Sequence, residues 1–562
     1  MDRWIVVAPA ALLLAALSLT AIRWPPARRR LGRLRHRLTA ARGQRPLPPA
    51  ARFASFQAGV EPAVAAVPRV HRWARPPVLG EPDLPPVPLA LWSATGDVAP
   101  PATTVRPAQV LTDADPFAAA RTSDAEWIVL LRPGDELAPL ALERLGQAVK
   151  LAPDADVVTC DEDELAADGG RRAPHVRPGP SPDRWLACDD SGALLCVRRD
   201  ALLDAGRALA GRVGAPGWRH ELALRLAGPR GERHAHVPVL LCHRGTPPDP
   251  PLPAARVAEL LAEWGDAVDA VEQRSDGVRL VRRAVAGQPS VELVVPFRDR
   301  PELLRRCATT VLERSTWKRL TLQLVDNGSQ ETATAELLRE LARDPRVTVV
   351  RDEQPFNYAA INNAAVARSD ADFIVLLNND TAVMTPDWVE QLLEEASRPQ
   401  VGAVAPLLLY PDGSVQHAGA ALGMHGYAGH PFAGLKPEQP TPFGRADGGT
   451  RNWLAVTAAC MMVERAKWDA VGGFQEQFVV AGNDVDLCLR LTAAGHRSLC
   501  LPHVRLLHDE SRSRGAYVDP GDFAASERSY GEFRTVGDPF YNPNLTLSRS
   551  DCGMRTPEEA IS

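Results

Sequence analysis

Phe373-Ile-Val-Leu-Leu is an unbroken apolar run that stops at Asn378-Asn-Asp380, and variants of that pattern recur along the chain. A strand-length run without Gly or Pro that ends in polar side chains predicts a parallel strand, buried on both faces, opening at the mouth of a sheet. Helical and strand signals alternate around it. In the earlier half, Trp127 to Leu131 predicts a strand, Pro139 to Lys150 a helix and Ala155 to Cys160 a strand, with Val87 to Trp92 as a first strand. In the later half, Val291 to Arg298 predicts a strand running into a loop. Glu302 to Glu313 then places Leu303, Leu304, Cys307, Val311 and Leu312 on one helical face, and the strand Leu322 to Val325 ends in Asp326-Asn-Gly-Ser329. Ala254 to Ala270 and Val485 to Ala494 have helical spacing. This alternation predicts an α/β protein with mostly parallel sheets.

The pattern also repeats over long range. Trp127-Ile-Val-Leu-Leu-Arg-Pro-Gly-Asp135 is similar to Phe373-Ile-Val-Leu-Leu-Asn-Asn-Asp380, Trp218 to Leu226 to Asn483 to Leu491, and Val237 to His243 to Leu501 to His508. Three matches in one order predict a duplicated domain. Arg132, Gly134 and Arg219 stand where the later copy has Asn378, Asp380 and Asp484, although Asp135 lies one residue away and His243 is kept. The expected organisation is an anchor with a basic flank over 1–38, a Pro/Ala/Arg-rich linker over 39–101, a degenerate copy over 102–250, a connecting helix over 251–288, the functional copy over 289–515, and a tail over 516–562.

Composition narrows the classes. A chain of 562 residues exceeds one ordinary core. A net charge of -5 and 6% aromatic residues give neither the basic surface nor the stacking platforms expected of a nucleic-acid binder. Nine scattered cysteines without a Cys-x-x-Cys pair suggest neither a disulfide framework nor a zinc ribbon, and fit a reducing compartment. Trp4 to Ile22 is uncharged and long enough to span a bilayer, and Arg23, Arg28, Arg29, Arg30, Arg33, Arg35 and Arg37 follow it. The positive-inside rule then predicts a single-pass protein of the cell membrane whose bulk is cytoplasmic. A cleavable signal peptide is the competing reading, disfavoured by the thin leading charge.

Several strand ends carry chemistry. Asp326, with Gly328 and Ser329, suits either the binding of a polar heterocycle or a plain turn. Asn378 to Asp380 offers hard oxygen ligands for Mg²⁺ or Mn²⁺, with a diphosphate supplying more. Asp484 and Asp486 head a helix after Gly482; one carboxylate can face the sheet mouth, and Asp486 reads as a capping acid. His508 closes an apolar strand, as a ligand or as an ordinary strand-end histidine. His417, His425 and His430 fall in a loop from Asp412 to Gly444 and read as solvated, and the tail offers no chemistry of its own.

Taken in order, Val295-Pro-Phe-Arg-Asp-Arg300, Asp326-Asn-Gly-Ser329, Phe356-Asn-Tyr-Ala-Ala-Ile-Asn-Asn363, Leu376-Leu-Asn-Asn-Asp380, Asp412-Gly-Ser-Val-Gln-His-Ala-Gly419, Gly472-Gly-Phe474, Asn483-Asp-Val-Asp486 and His508-Asp-Glu-Ser511 resemble the family 2 glycosyltransferases of bacteria, especially the rhamnosyltransferase-like branch. The resemblance implies two GT-A-like domains and inverting hexosyl transfer from a nucleotide-diphosphate sugar, dTDP-rhamnose or a UDP-sugar. It implies a saccharide or lipid-linked acceptor in envelope polysaccharide or glycolipid assembly, and a divalent metal, Mg²⁺ or Mn²⁺. By resemblance Asp326 binds the base and Pro296, Phe297 and Arg298 border the nucleoside. Asn363, Asn378 and Asn379 lie on the donor, and Asn378 replaces the first aspartate of the usual Asp-x-Asp motif. Asp380 and His508 are the implied metal ligands and Asp484 the general base, with Asn483 where many relatives carry an acid. Two other readings are a catalytically inactive carbohydrate-binding or scaffold protein, and a nucleotide-sugar hydrolase.

Overall fold

The computed structural model describes residues 49–59, 61, 69–72, 78–79, 84–94, 105–509 and 518–559. The stretch Trp4 to Ile22 and its arginine flank lie outside them. Among the described residues no helix is long and apolar enough to cross a membrane. Both large sheets lie within one compact unit of the chain, Phe53–Ser562.

The carboxyl-terminal sheet runs, edge to edge, Val347–Arg351, Leu320–Asp326, Val291–Phe297, Phe373–Leu377, Cys460–Glu464, Val401–Leu409, Arg497–His508 and Thr381–Val383. Its first four strands are parallel, Cys460–Glu464 runs against both neighbours, and Val401–Leu409 pairs parallel to Arg497–His508. Side chains on one strand alternate between two cores. Ile374 and Leu376 pack on one side of the sheet, Phe373, Val375 and Leu377 on the other, so the run lacks the polar alternation of a half-exposed strand. The helix Pro301–Arg314 covers one face through Leu303, Leu304, Cys307, Ala308 and Val311, the periodicity visible in the sequence; Leu312 is only partly buried against the same core.

The amino-terminal sheet repeats this arrangement. Gln109–Leu111, Ala90–Trp92 and Trp127–Leu130 are parallel, Leu195–Arg198 is reversed, and Val157–Leu165 pairs parallel to His234–Arg244. Part of the stretch read as a linker over 39–101 is therefore sheet: Ala90–Trp92 is an inner strand, and Arg69–Arg72 pairs antiparallel to His234–Arg244. Ala90–Trp92 falls within the expected strand Val87 to Trp92, whereas Pro-rich flanks hid Arg69–Arg72. Ala254 to Ala270 is likewise only partly helical, since the helix Ala254–Glu263 is followed by a hairpin of Ala270–Gln273 and Arg279–Arg282. All nine cysteines are free thiols.

Buried polar groups join the halves. Asp183, on the helix Pro182–Ala187, accepts from Arg398 Nη1 at 2.7 Å and Asn452 Nδ2 at 2.7 Å, with Arg497 Nε at 3.1 Å. The tail adds a second tie: Asn542 and Asn544 donate to the fully buried Asp161 carboxylate at 2.8 and 3.0 Å. The tail, which in the sequence offers no chemistry of its own, satisfies a buried charge in the other half and so is part of the core.

Candidate active site

Parallel strands that end together leave their following loops at one edge of the sheet, and here that edge opens into a cleft of about 1030 Å³. Phe297 and Asp326 are ladder partners at this edge, and Leu377 leads directly into Asn378-Asn-Asp380. Pro296, Phe297, Arg298, Asn378, Asn379, Asp380, Asp484 and His508 all line the cleft. Residues more than two hundred positions apart in sequence thus meet at one opening.

Asp380 is 3% exposed, and its main chain is fixed by Arg306 and the Asp509 N–H, which both donate to the Asp380 carbonyl. Among the described residues its Oδ1 is buried without a hydrogen-bond partner, 3.3 Å from His508 Nε2. His508 Nδ1 lies 3.0 Å from Gln416 Oε1, which can only accept, so the ring proton sits on Nδ1 and Nε2 presents a lone pair. The Asn378 amide, 3.4 Å away, donates to that same Nε2. Among the described residues Asn379 Nδ2 and Asn483 Nδ2 are also buried without partners, and both residues line the same cleft. Three orphaned polar atoms around one opening mark a place for a polar ligand. Among the described residues no group of three or more His, Cys, Asp or Glu side chains is arranged to hold a metal. A vacant carboxylate oxygen beside an imidazole nitrogen whose lone pair meets only the 3.4 Å Asn378 amide nevertheless suits a hard divalent cation whose remaining oxygens come from a ligand.

Asp484 reaches the cleft from the head of the helix Asn483–Ala493. Gly482, left-handed at φ 87°, turns the chain into that helix, and a Cβ there would come within 2.6 Å of Tyr530 Oη. Asp484 Oδ2 accepts from the Ala458 N–H at 3.2 Å and Oδ1 from the Val485 N–H at 2.9 Å, which fixes the carboxylate while leaving it half-buried and open to the cleft. Asp486, two residues on, is tied to Arg490 at 2.8 Å and to Ser529 at 2.7 Å and is structural.

Other expected residues are placed differently. Asp326 does not line the cleft, although its neighbour Asn327 does. Its oxygens accept from the Ser329 N–H at 2.8 Å and from Arg351 at 2.6 Å, so the turn role has taken both. Asn363, expected on the donor, clamps Phe474 instead: its Nδ2 donates to the Phe474 carbonyl at 2.9 Å and its Oδ1 accepts from the Phe474 N–H at 2.9 Å. The carboxamide spans both main-chain groups of one residue, and that geometry holds it away from the opening.

The sequence reading missed the tail's part. Asp522, 1% exposed, accepts from the N–H groups of Val479, Val480 and Ala481 at 2.6, 3.0 and 2.9 Å, which fixes the loop leading into Gly482 and Asp484. Phe523, Ser526 and Tyr530 from the same helix line the cleft. A carboxylate two residues after Pro520 looks like a first-turn helix acid in sequence, and nothing local points it at residues 479–481. His417 was also misjudged as solvated. It is fully buried, and burial, reinforced by His430 and His508, holds it well below the usual histidine range.

At the corresponding edge of the amino-terminal sheet the polar side chains are engaged by one another and by main-chain groups. Glu136 pairs with His243 as Thr381 pairs with His508, so the counterpart of Asp380 is Asp135, one residue beyond the Gly134 of a gapless comparison. Asp135 has no vacant oxygen. Arg132 Nε donates to one at 2.8 Å, and Gly245 N and Thr246 Oγ1 donate to the other at 3.0 and 3.1 Å. Arg219 occupies the place of Asp484, behind the left-handed Gly217, and donates to the carbonyls of Ala193 and Leu130.

Residues 292–466 match the family described as Glycosyl transferase family 2. The chain is 39% identical over 459 residues to the O-antigen biosynthesis protein RfbC of Myxococcus xanthus, covering 79% of this chain and 35% of that protein. It is 34% identical over 459 residues to the uncharacterized protein y4gI of Sinorhizobium fredii, covering 78% of this chain and 50% of the relative. The chain thus spans between a third and a half of the length of these two. A shorter relative, the N-acetylglucosaminyl-diphospho-decaprenol L-rhamnosyltransferase of Mycobacterium tuberculosis, is 30% identical over 259 residues, which is 42% of this chain and 80% of that protein. With a curated relative matched over most of its own length and a cleft built from the ordered motifs, the chain belongs to glycosyl transferase family 2.

Proposed function

We propose that this protein is an inverting glycosyltransferase that moves a sugar from a nucleotide-diphosphate sugar to an acceptor hydroxyl in bacterial polysaccharide or glycolipid assembly. The convergence of Asp380, His508 and Asp484 on one cleft carries this reading. Asp484 takes the proton of the attacking hydroxyl. One positioned carboxylate suffices for such a displacement, whereas a hydrolase of the common kind needs two carboxyl groups flanking the bond. Asp380 and His508 would hold a divalent cation, Mg²⁺ or Mn²⁺, which when bound supplies charge neutralisation for a departing diphosphate. Asn378 and Asn379 offer amides to the same end of the donor, and Arg298 and Arg300 at the cleft wall add positive charge.

The relative that is an L-rhamnosyltransferase supports dTDP-rhamnose as the first donor to try, with UDP-sugars second. We read the amino-terminal sheet as a degenerate, non-catalytic copy of the same domain, since arginines stand where the later copy keeps an acid and an amide. The apolar stretch Trp4 to Ile22 supports a membrane tether with the cleft on the cytoplasmic side, which sedimentation with membranes and protease protection in vesicles would test.

Purified protein screened against nucleotide sugars with saccharide and lipid-linked acceptors, with nucleoside diphosphate release as the readout, tests the proposal; release that never depends on an acceptor would refute transfer. Chelation by EDTA is expected to abolish transfer and added Mn²⁺ or Mg²⁺ to restore it. Persistence of activity in EDTA would remove the metal role of Asp380 and His508. Asp522→Ala leaves three loop N–H groups without their acceptor, and kcat is expected to fall by up to about 10²-fold through misplacement of Asp484, with donor affinity kept. Unaltered kcat would show that the loop holds Asp484 without it.

A further inference from the structure

Phe356 is 41% exposed and lines the cleft, and among the described residues its ring belongs to none of the apolar cores. A single exposed apolar side chain is ordinary, but this one stands on a backbone that is fixed on both sides. On the leading side, the Asp352 N–H donates to the Asp326 carbonyl at 2.9 Å. The buried Asn327 donates from Nδ2 to the carbonyls of Gln354 and Asp352 at 2.9 and 3.4 Å, and Pro355 then restricts its own φ. On the trailing side, Asn357 caps the helix Tyr358–Ala367 by accepting from the Ala360 N–H at 3.0 Å, and its Nδ2 donates to the Glu476 carbonyl at 2.8 Å. The main chain therefore presents the ring to the cleft without help from an apolar core.

Its place in the sheet sets what the ring can meet. The turn carrying Phe356 follows Val347–Arg351 and is tied to the end of Leu320–Asp326, whereas Asn378 to Asp380 follow Phe373–Leu377. In the strand order these ends stand three and two places apart, and at the usual spacing of neighbouring strands that is about 10–14 Å. An extended nucleoside diphosphate spans such a distance from its base to its second phosphate. The residue expected to read the base is engaged elsewhere. Asp326 does not line the cleft, and the Ser329 N–H and Arg351 take its oxygens at 2.8 and 2.6 Å.

We propose that Phe356 is the platform on which the nucleobase of the donor stacks, so that this chain holds the base by its face and leaves the Asp326 carboxylate to the turn. The inference rests on the transferase reading and deepens it. With the base on Phe356, the diphosphate runs along the sheet mouth, past the loop after Val291–Phe297, to Asn378, Asn379 and Asp380. An aromatic face alone would also take an apolar chain. Arg298 and Arg300 on the same cleft wall favour a ligand that is aromatic at one end and anionic at the other. Stacking reads no edge pattern, since every base has a π-face, whereas a carboxylate accepting from a base N–H would select by edge.

Calorimetry on the full chain with Mg²⁺ tests this, with UDP, dTDP and GDP as ligands and inorganic pyrophosphate, which has no base, as the internal control. Phe356→Ala is expected to weaken whichever of the three nucleotides bind by about tenfold to a hundredfold, by a similar factor for each, and to leave pyrophosphate affinity unchanged. Phe356→Tyr keeps a ring and should bind within about threefold of wild type. Asp326→Asn keeps an oxygen for the Ser329 N–H and is expected to cost less nucleotide affinity than Phe356→Ala. Nucleotide affinity that is unchanged in Phe356→Ala, or that falls together with pyrophosphate affinity, would overturn the platform while leaving sugar transfer by the unmodified chain intact. So would a loss confined to one base, or a loss in Asp326→Asn that matches or exceeds that in Phe356→Ala, since either means that the base is read by its edge. A wild-type chain that binds none of the three nucleotides sinks the transferase reading first.

Discussion

Asp484→Asn is expected to lower the rate of sugar transfer by about 10³-fold, within the range general-base catalysis supplies, while nucleotide-sugar affinity is kept. Asparagine preserves the shape of the side chain and one acceptor oxygen, so the contact with the Ala458 N–H at 3.2 Å has a replacement. It cannot take up a proton. The cleft residues that the proposal sets against the donor, Asn378, Asn379 and Asp380, belong to a different loop and are undisturbed. The effect should therefore fall on kcat, with donor dissociation measured by calorimetry unaltered. A variant that turns over at the wild-type rate would remove Asp484 as the base. The amino-terminal half already carries the harsher change, with a buried arginine at this position.

Asp183→Ala is expected to destabilise the fold by about 3–5 kcal/mol, the usual consequence of removing one partner from a buried charge cluster. The substitution leaves Arg398 and Arg497, 7% and 2% exposed, facing each other without their shared carboxylate. Because Asp183 belongs to one half and both arginines to the other, the damage falls on the seam between the two sheets. Denaturant unfolding followed by tryptophan fluorescence measures it. A loss below about 1 kcal/mol, the scale of an exposed ion pair, would show that the seam does not depend on this cluster. Burial alone would raise the Asp183 pKa, but Arg398 and Arg497 outweigh it and hold the carboxyl well below its ordinary 3.8. The contribution is therefore fully present above the ordinary carboxyl value and is lost as pH falls through the depressed one, so the gap between wild type and variant should narrow in acid.

Much of this architecture was legible from local pattern. The run Phe373–Leu377 is a strand buried on both faces, the helix Pro301–Arg314 buries four of the five residues that its spacing selected, and the motif order identified the family. The amino-terminal boundary was harder. Arg69–Arg72 is a short strand among prolines, and it is a strand because a partner distant in sequence, His234–Arg244, completes its hydrogen bonds.

By itself the sequence determined where apolar runs end and which polar residues follow them, because strand and helix periodicity depend on neighbours a few positions away. Which of those polar residues face the cleft was decided only by tertiary structure. Asp326 and Asp380 end comparable strands, yet Arg351 and the Ser329 N–H take the oxygens of one, while among the described residues no donor takes Oδ1 of the other. Asp135 and Asp380 share a ladder position that a one-residue loop difference hides from sequence comparison. Asp522 fixes the approach to Asp484 from more than thirty-five residues away. A side chain's hydrogen-bond partners are set by whichever elements pack against it, and no local periodicity encodes that choice.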